Sequence, residues 1–194
     1  MERGRPLIRQ ISLDKYYRLM NTGPTVLVSA RAGGRSNVMA AAWAGIVDFA
    51  PTPKVSVVLD KATYTRELIE QSGYFGLQVP VVSQVDMVAA LGSRSGRNDP
   101  DKVAHCGAAL FYPEKFDVPL VRGCAGWMVC KLIPEPHNQQ EHDLFIGAVL
   151  DAWADDIVFD GHWKFDSAGP QWRTLHHVAG GHFYAIGEEV TARS

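Results

Sequence analysis

Two polar segments of the chain contain the residue types that bind an anion such as a phosphate. KATYTRELI (Lys61–Ile69) predicts a helix, and the free N–H groups at its start lie beside threonine hydroxyls and the Lys61 ammonium group. GSRSGRNDPDK (Gly92–Lys102) combines Arg94, Arg97 and Lys102 with two serines and two glycines, and its backbone N–H groups and guanidinium groups can surround an anion. This second segment lacks the GxxxxGK[ST] pattern and is not a P-loop. A capped helix and a solvated loop are the alternative interpretations.

A third segment suits the close approach of a flat ring. SNVMAAAW (Ser36–Trp43) places Asn37 before a run of three alanines. Small side chains leave room for a ring against the backbone N–H and C=O groups, which often orient ligands in binding sites. Packing against a neighbouring strand or subunit would explain the same alanines.

The histidines and cysteines do not predict a metal centre. Three of the seven histidines lie in HHVAGGH (His176–His182), but the chain has no HExxH motif. The cysteines, Cys106, Cys124 and Cys130, lack the spacing of metal ligands. No GxSxG motif or Ser/His/Asp set is recognisable either. The sequence therefore predicts no metal site and no covalent nucleophile.

Composition restricts the class of protein. The 194 residues have 19 basic and 21 acidic side chains, a net charge of −2, and 46% apolar residues. This indicates one globular domain over residues 1–194 without a general attraction for nucleic acid or anionic lipid. The longest apolar stretch, Val38–Val47, is half of the ~20 residues that a membrane helix needs. The charged N-terminus and odd cysteine count predict a cytoplasmic protein with free thiols.

The order of predicted elements indicates a mainly β fold. We expect strands at Thr25–Arg31, Asn37–Phe49, Lys54–Asp60, Tyr74–Val79, and within 122–133, 144–153 and 182–186. We expect helices from Ser12 to Asn21, from Thr63 or Thr65 to Gln71, and from a Ser83–Asp86 capping box to Leu91. Many short strands and few short helices favour a closed antiparallel barrel with peripheral helices.

Four motifs in a fixed order resemble the flavin reductase-like family, the FMN-binding split-barrel proteins that include flavoredoxin. They are SNVMAAAW, KATYTRELI, SGYFGLQVP (Ser72–Pro80) and GSRSGRNDPDK, and a weaker similarity continues to the C-terminal VAGGHFYAIGE. The resemblance implies an antiparallel split β-barrel of Greek-key topology with a few short peripheral helices. It also implies a homodimer with FMN near the subunit interface.

The resemblance further implies the roles of individual residues. Backbone and packing contacts to the flavin ring would come from Asn37, Val38, Met39, Ala40 and Trp43. Alanines at 40 and 42 replace hydroxyl residues that are usual in the family, so only backbone hydrogen bonds remain there. The phosphate would be held by Lys61, Tyr64 and Thr65, and Ser95, Gly96, Arg97 and Lys102 would complete the pocket. Gln78 would make a polar contact to the flavin. His142 and His177 would form a polar gate at the open face of the flavin or serve as structural histidines.

The function implied by the resemblance is an NAD(P)H-dependent flavin oxidoreductase. A hydride would pass from NADH or NADPH to bound FMN, and the electrons would pass to a protein or small-molecule acceptor. An FMN-binding electron carrier without NAD(P)H activity is the main alternative. A flavin-free binding protein and a heme protein with a histidine ligand remain open, as do FAD in place of FMN and the identity of the acceptor.

Overall fold

The computed structural model describes residues 10–21 and 23–192. The strands are β1 Val26–Ala32, β2 Arg35–Ala41, β3 Ala44–Asp48, β4 Lys54–Val58, β5 Tyr74–Val79, β6 Leu110–Phe111, β7 Leu120–Val121, β8 Gly126–Ile133, β9 Leu144–Ala154, β10 Leu175–Ala179 and β11 His182–Ala185. The α-helices are α1 Tyr17–Met20, α2 Tyr64–Ser72, α3 Val85–Ser93, α4 Lys102–His105, α5 Pro136–Glu141 and α6 Phe165–Ala168. Short 3-10 turns occupy Leu13–Lys15, Val82–Gln84 and Pro170–Trp172.

Seven strands form one antiparallel sheet in the order β2-β1-β5-β8-β9-β4-β3. The two edge strands, β2 and β3, are separated in sequence only by Ala42 and Trp43. Six spacings of ~4.8 Å would hold the edges about 29 Å apart in a flat sheet. Three Cα steps from Ala41 to Ala44 span at most about 11 Å. The sheet must therefore roll into a barrel that is split between β2 and β3, which confirms the mainly β, split-barrel prediction.

Alternation along β1 fills two separate cores. Val28 faces the barrel interior, where Phe75 and Phe145 are fully buried. Leu27 faces outward and packs under α3 with Leu91. Two further short sheets, β6–β7 and the β10–β11 hairpin, lie beside the barrel. Within the described ranges, no helix combines the length and apolar character needed to cross a membrane.

Several predicted boundaries are wrong. The single strand expected over Asn37–Phe49 is two strands, because the chain changes sheet edge at Ala42 and Trp43. The helix expected from Ser12 is a 3-10 turn followed by four residues of α1. Ser83 does not cap α3. Instead, the backbone N–H of Val81 donates to the side-chain oxygen of Gln84 across the preceding 3-10 turn.

Gly147 on β9 provides a test of barrel packing. A Cβ atom at this position would meet the Phe75 ring and Cys130, whereas at Gly45 on β3 it would meet only the Ser56 hydroxyl at 3.8 Å. Overpacking a filled core costs about 1–3 kcal/mol. We predict that Gly147→Ala lowers the free energy of unfolding by about this amount, measured by urea denaturation. Gly45→Ala is the matched control and should shift it by less than ~0.5 kcal/mol.

Candidate functional site

Three connected cavities follow the free edge of β2. The first, of about 220 Å³, lies between the start of α2 and the segment after α3. The second, of about 350 Å³, lies next to Trp43. The third, of about 290 Å³, lies between α3 and the β10–β11 hairpin. The second and third cavities share Ala40, Ala41, Ala42 and His177, and each shares residues with the first. Together they form one cleft, which we call the β2 cleft.

The first cavity has the character of an anion site. It is lined by Thr63, Tyr64 and Thr65 at the N-terminus of α2, and by Arg94 and Ser95 from the loop beyond α3. The Thr63 hydroxyl donates to the Asp60 carbonyl and makes no capping bond to α2. The first N–H groups of this nine-residue helix therefore have no side-chain cap from Thr63, and they favour negative charge.

Asn37 and Gly96 form a tight cradle in this cavity. The Asn37 amide nitrogen donates to the Thr65 hydroxyl over 2.8 Å. Its oxygen is buried and has no hydrogen-bond partner within the described part of the chain. A Cβ atom on Gly96 would collide with this amide and press on Tyr64. An unsatisfied buried acceptor is costly, which indicates that a ligand donor completes it.

Lys102 adds a buried positive charge. Its side chain is 2% exposed, and its ammonium group donates to the Val38 carbonyl over 2.8 Å. Among the described residues, its amine forms no ion pair with a carboxylate. Burial lowers the pKa of this amine. An anion in the adjoining cavity would offset the cost of burying the charge.

The backbone of β2 offers hydrogen bonds at the centre of the cleft. The Val38 carbonyl accepts from Lys102, so it points away from β1. Because backbone groups alternate in direction along a strand, the N–H and C=O of Ala40 point the same way. These groups lie beside the small Ala40–Ala42 side chains that line both larger cavities. The arrangement suits a flat ring with donors and acceptors along one edge.

Trp43 and the N-terminal helix close one side of the second cavity. The Trp43 indole N–H donates to the Asn21 amide oxygen over 3.0 Å, and its ring meets Tyr17 edge-on with a centroid distance of 6.2 Å. The Trp43 side chain remains half-exposed and lines the cavity. His177 also lines the cleft, in both larger cavities.

Gln78 does not reach the cleft, contrary to the sequence-based expectation. It is fully buried, donates to the Ser29 hydroxyl over 2.9 Å and accepts from the Val121 N–H over 2.6 Å. Gln78 lies opposite Leu27 on β1, and β1 separates it from the free edge of β2. Its side-chain amide therefore links β1 to the short β6–β7 sheet through Ser29 and Val121.

Four other predicted residues lie around the cleft without lining its cavities. The Val38 side chain is fully buried in the core under α3. Arg97 forms an ion pair with Glu67 at 2.5 Å. Lys61 is exposed in the turn just before α2. His142 is exposed at the end of α5, where its ring meets His137 edge-on with a centroid distance of 5.4 Å. Arg97 and His142 are thus engaged with protein neighbours.

Several residues that line the cleft were not assigned to it from the sequence, among them Asn21 and Phe183. Arg94 and Thr63, which belong to the two predicted anion segments, line the first cavity. Asn21 and Phe183 come from opposite ends of the chain, and no sequence pattern brings them together. Within the described residues, no group of three or more His, Cys, Asp or Glu side chains could hold a metal ion.

Comparison with known proteins identifies the family. The model of the flavin reductase like domain matches residues 17–169, which is most of the chain. The chain belongs to the flavin reductase-like family. It is 55% identical to an FMN-binding domain of a flavin reductases-like enzyme from Shewanella baltica, covering 94% of this chain and 96% of that one with a TM-score of 0.86.

Two further solved structures are similar. Flavoredoxin of Desulfovibrio vulgaris is 32% identical, with 88% of this chain and 90% of that one covered and a TM-score of 0.74. An FMN-binding protein from Thermus thermophilus with bound p-hydroxybenzaldehyde is 25% identical, with both chains fully covered and a TM-score of 0.76. The cofactor of this flavoprotein is FMN.

The β2 cleft fits FMN on its own geometry. The buried Lys102 charge, the Gly96 cradle and the N-terminus of α2 provide an anion end for the phosphate, and the unsatisfied Asn37 oxygen provides an acceptor for a hydroxyl or N–H donor of the cofactor. The Ala40 backbone and neighbouring alanines provide a ring end. We therefore propose that the phosphate lies at the start of α2 and the ring along Ala40–Ala42.

The lowered pKa of Lys102 predicts alkaline weakening of FMN binding. Binding of the FMN phosphate favours the charged form of the Lys102 amine. The affinity for FMN is therefore full below the pKa that Lys102 has in the FMN-free protein, and it falls as the pH rises through that pKa. Lys102→Met removes a charge-assisted hydrogen bond worth about 1.5–3 kcal/mol, a loss of roughly 10- to 100-fold in affinity. The dissociation constant is measured by quenching of FMN fluorescence from neutral to alkaline pH.

Lys61→Met is the matched control for this titration, because Lys61 is exposed and adjoins the same cavity. It should keep the alkaline loss, whereas Lys102→Met should remove it after correction for the titration of free FMN. An unchanged pH profile in Lys102→Met would contradict the role of the buried amine.

Proposed function

We propose that this protein is an NAD(P)H-dependent FMN oxidoreductase. The cofactor supplies the redox chemistry: a hydride passes from NAD(P)H to the flavin ring, and the electrons pass on to an acceptor. The observation that supports this best is a cleft with a positively charged anion end, which contains Lys102 and Arg94, and an alanine-lined ring end. The three cavities share residues, so a bound ring would leave neighbouring space for a second reactant.

The residues of the chain act by binding and orientation. The positive Lys102 and the N-terminus of α2 hold negative charge at one end of the cleft. The Ala40 N–H offers a donor toward the ring, where donors stabilise negative charge that develops on reduction. This reaction requires no side-chain nucleophile. The thiols of Cys124 and Cys130 are unsuited to one, because burial raises the pKa of both to about 12.

An electron carrier without direct NAD(P)H activity is the second candidate function. The similarity to flavoredoxin of Desulfovibrio vulgaris supports it. The exposed Trp43 beside the cleft suits contact with a protein partner as well as with a nucleotide. The two candidates share the cofactor and differ in the donor of electrons.

The acceptor that we propose is a small organic molecule. The Thermus thermophilus protein with bound p-hydroxybenzaldehyde supports this class. The third cavity, of about 290 Å³, is at the lower limit of small-molecule pockets.

The cytoplasmic location predicted from the odd cysteine count stays a prediction. Cys106, Cys124 and Cys130 are all free and buried.

Anaerobic reduction separates the two functions. We predict that NADPH or NADH bleaches the visible absorption of the FMN-loaded protein within seconds of mixing. Bleaching only by dithionite would instead establish the electron carrier. A protein that takes up no FMN would contradict both functions.

We also propose a homodimer, supported by exposed apolar residues on and after the edge strand β3. The side chains of Ile46 and Phe49 are 75% and 86% exposed, and Val47 is also exposed. Exposed edge strands with apolar side chains are rare unless they pair with another chain. A second copy of this chain would cover them and approach the second cavity through Trp43.

Substitution of the β3 surface should dissociate the dimer. We predict that Ile46→Asp with Phe49→Asp converts a dimer to a monomer in light scattering, because two buried charges would be unpaired. Val190→Asp is the control, since Val190 is 90% exposed near the C-terminus and far along the chain from β3. A wild-type monomer that binds FMN tightly would refute this interface.

A further inference from the structure

The β10–β11 hairpin lies outside the part of the chain that the family model matches, and yet it lines the β2 cleft. The match to the family ends at residue 169, whereas the hairpin runs from Leu175 to Ala185. Its residues His177, Gly181 and Phe183 form one wall of the third cavity. We propose that this hairpin selects the second reactant, and that His177 and Phe183 favour a small planar carbonyl compound. This inference rests on the proposed function.

The base of the hairpin is fixed to the barrel by hydrogen bonds. The Thr25 N–H donates to the Leu175 carbonyl over 2.7 Å, and the His177 N–H donates to the Thr25 hydroxyl over 2.9 Å. The Asn21 amide donates to the Val178 carbonyl over 3.0 Å. The hairpin therefore holds a defined position beside Ala40–Ala42, as a wall that discriminates by shape must.

The third cavity is mainly apolar. Val88 and Ala89 of α3 face the cleft alanines and Phe183 across it. The polar side chains on its wall are Thr25, Ser93 and His177. Thr25 is only 2% exposed, with its hydroxyl oxygen bound to the hairpin, and the Ser93 hydroxyl donates to the Ala90 carbonyl. The imidazole of His177 is the group best placed to offer a donor to a ligand.

His177 and Phe183 act as a pair. They are register partners on β10 and β11, and their ring centroids are 5.0 Å apart at an interplanar angle of 59°. The Phe183 ring restricts the orientation of the imidazole and supplies an apolar surface for a planar ligand. A volume of about 290 Å³ suits one ring with a carbonyl group and not a whole dinucleotide.

The test measures ligand binding without turnover. The FMN-loaded protein is titrated with benzaldehyde or with toluene, which lacks the carbonyl group, and the visible spectrum of the oxidised flavin is recorded. We expect His177→Ala to weaken benzaldehyde roughly tenfold, the loss of one hydrogen bond, with little effect on toluene. Phe183→Ala should weaken both ligands. His177→Gln keeps a donor and should restore part of the benzaldehyde affinity.

Matched controls come from the opposite face of the same hairpin. His182 and Tyr184 alternate with Phe183 along β11 and are exposed. His182→Ala and Tyr184→Ala should change neither benzaldehyde nor FMN affinity by more than about twofold.

The outcomes separate this inference from the proposed function. A protein that binds no FMN overturns the proposed function. If FMN binds normally and benzaldehyde does not perturb its spectrum, the ligand class is overturned. If the cleft-facing variants match the controls, or weaken FMN as much as benzaldehyde, the selecting role of the hairpin is overturned. Retained FMN affinity with selective loss of benzaldehyde supports it.

Discussion

The two-residue connection between β2 and β3 is the constraint on which the site depends. Ala42 and Trp43 carry the chain from one edge of the seven-stranded sheet to the other. The sheet must therefore roll into a barrel, and within the described sheet β2 and β3 are not hydrogen-bonded neighbours. The outer edge of β2 keeps backbone N–H and C=O groups that need partners. One of them, the Val38 carbonyl, is satisfied by Lys102, and those of Ala40 lie beside the β2 cleft. The split that the connection imposes is thus the origin of the ligand site.

A buried arginine fixes the anion end relative to this edge. Arg66 on α2 donates to the Leu59 and Gln139 carbonyls and forms ion pairs with Glu70 and Asp143. Burial alone would lower the pKa of its guanidinium group, but the two carboxylates outweigh burial and raise it. Because this charged group makes four hydrogen bonds, a shift of α2 would leave buried partners of Arg66 unpaired. The start of α2 is therefore held against β2, where Thr65 meets Asn37.

Local signals predicted the helix and strand that flank the proposed anion end, and long-range register explains the errors. The strand Tyr74–Val79 follows from its aromatic and aliphatic residues, and α2 stops at Gly73, whose φ of 73° is that of a glycine C-cap. Whether Gln78 faces the cleft depends on which strands neighbour β5, and a strand pattern alone does not contain this information. The ion pair of Arg97 with Glu67 depends on loop geometry in the same way. The hairpin strand β10 was missed because its histidines were considered as metal ligands rather than as half of an alternating strand.

Separate segments of the sequence form the two ends of the β2 cleft. The anion end comes from α2 and the loop before Lys102, inside the matched family region. The wall over the third cavity comes from a hairpin beyond it, attached through Thr25 and Asn21. Because Lys102 and Asn37 line the first cavity and the hairpin lines the third, substitutions in the hairpin leave the Lys102 and Asn37 side chains in place. A barrel of this kind can therefore retain one cofactor while its C-terminal hairpin sets which second reactant enters.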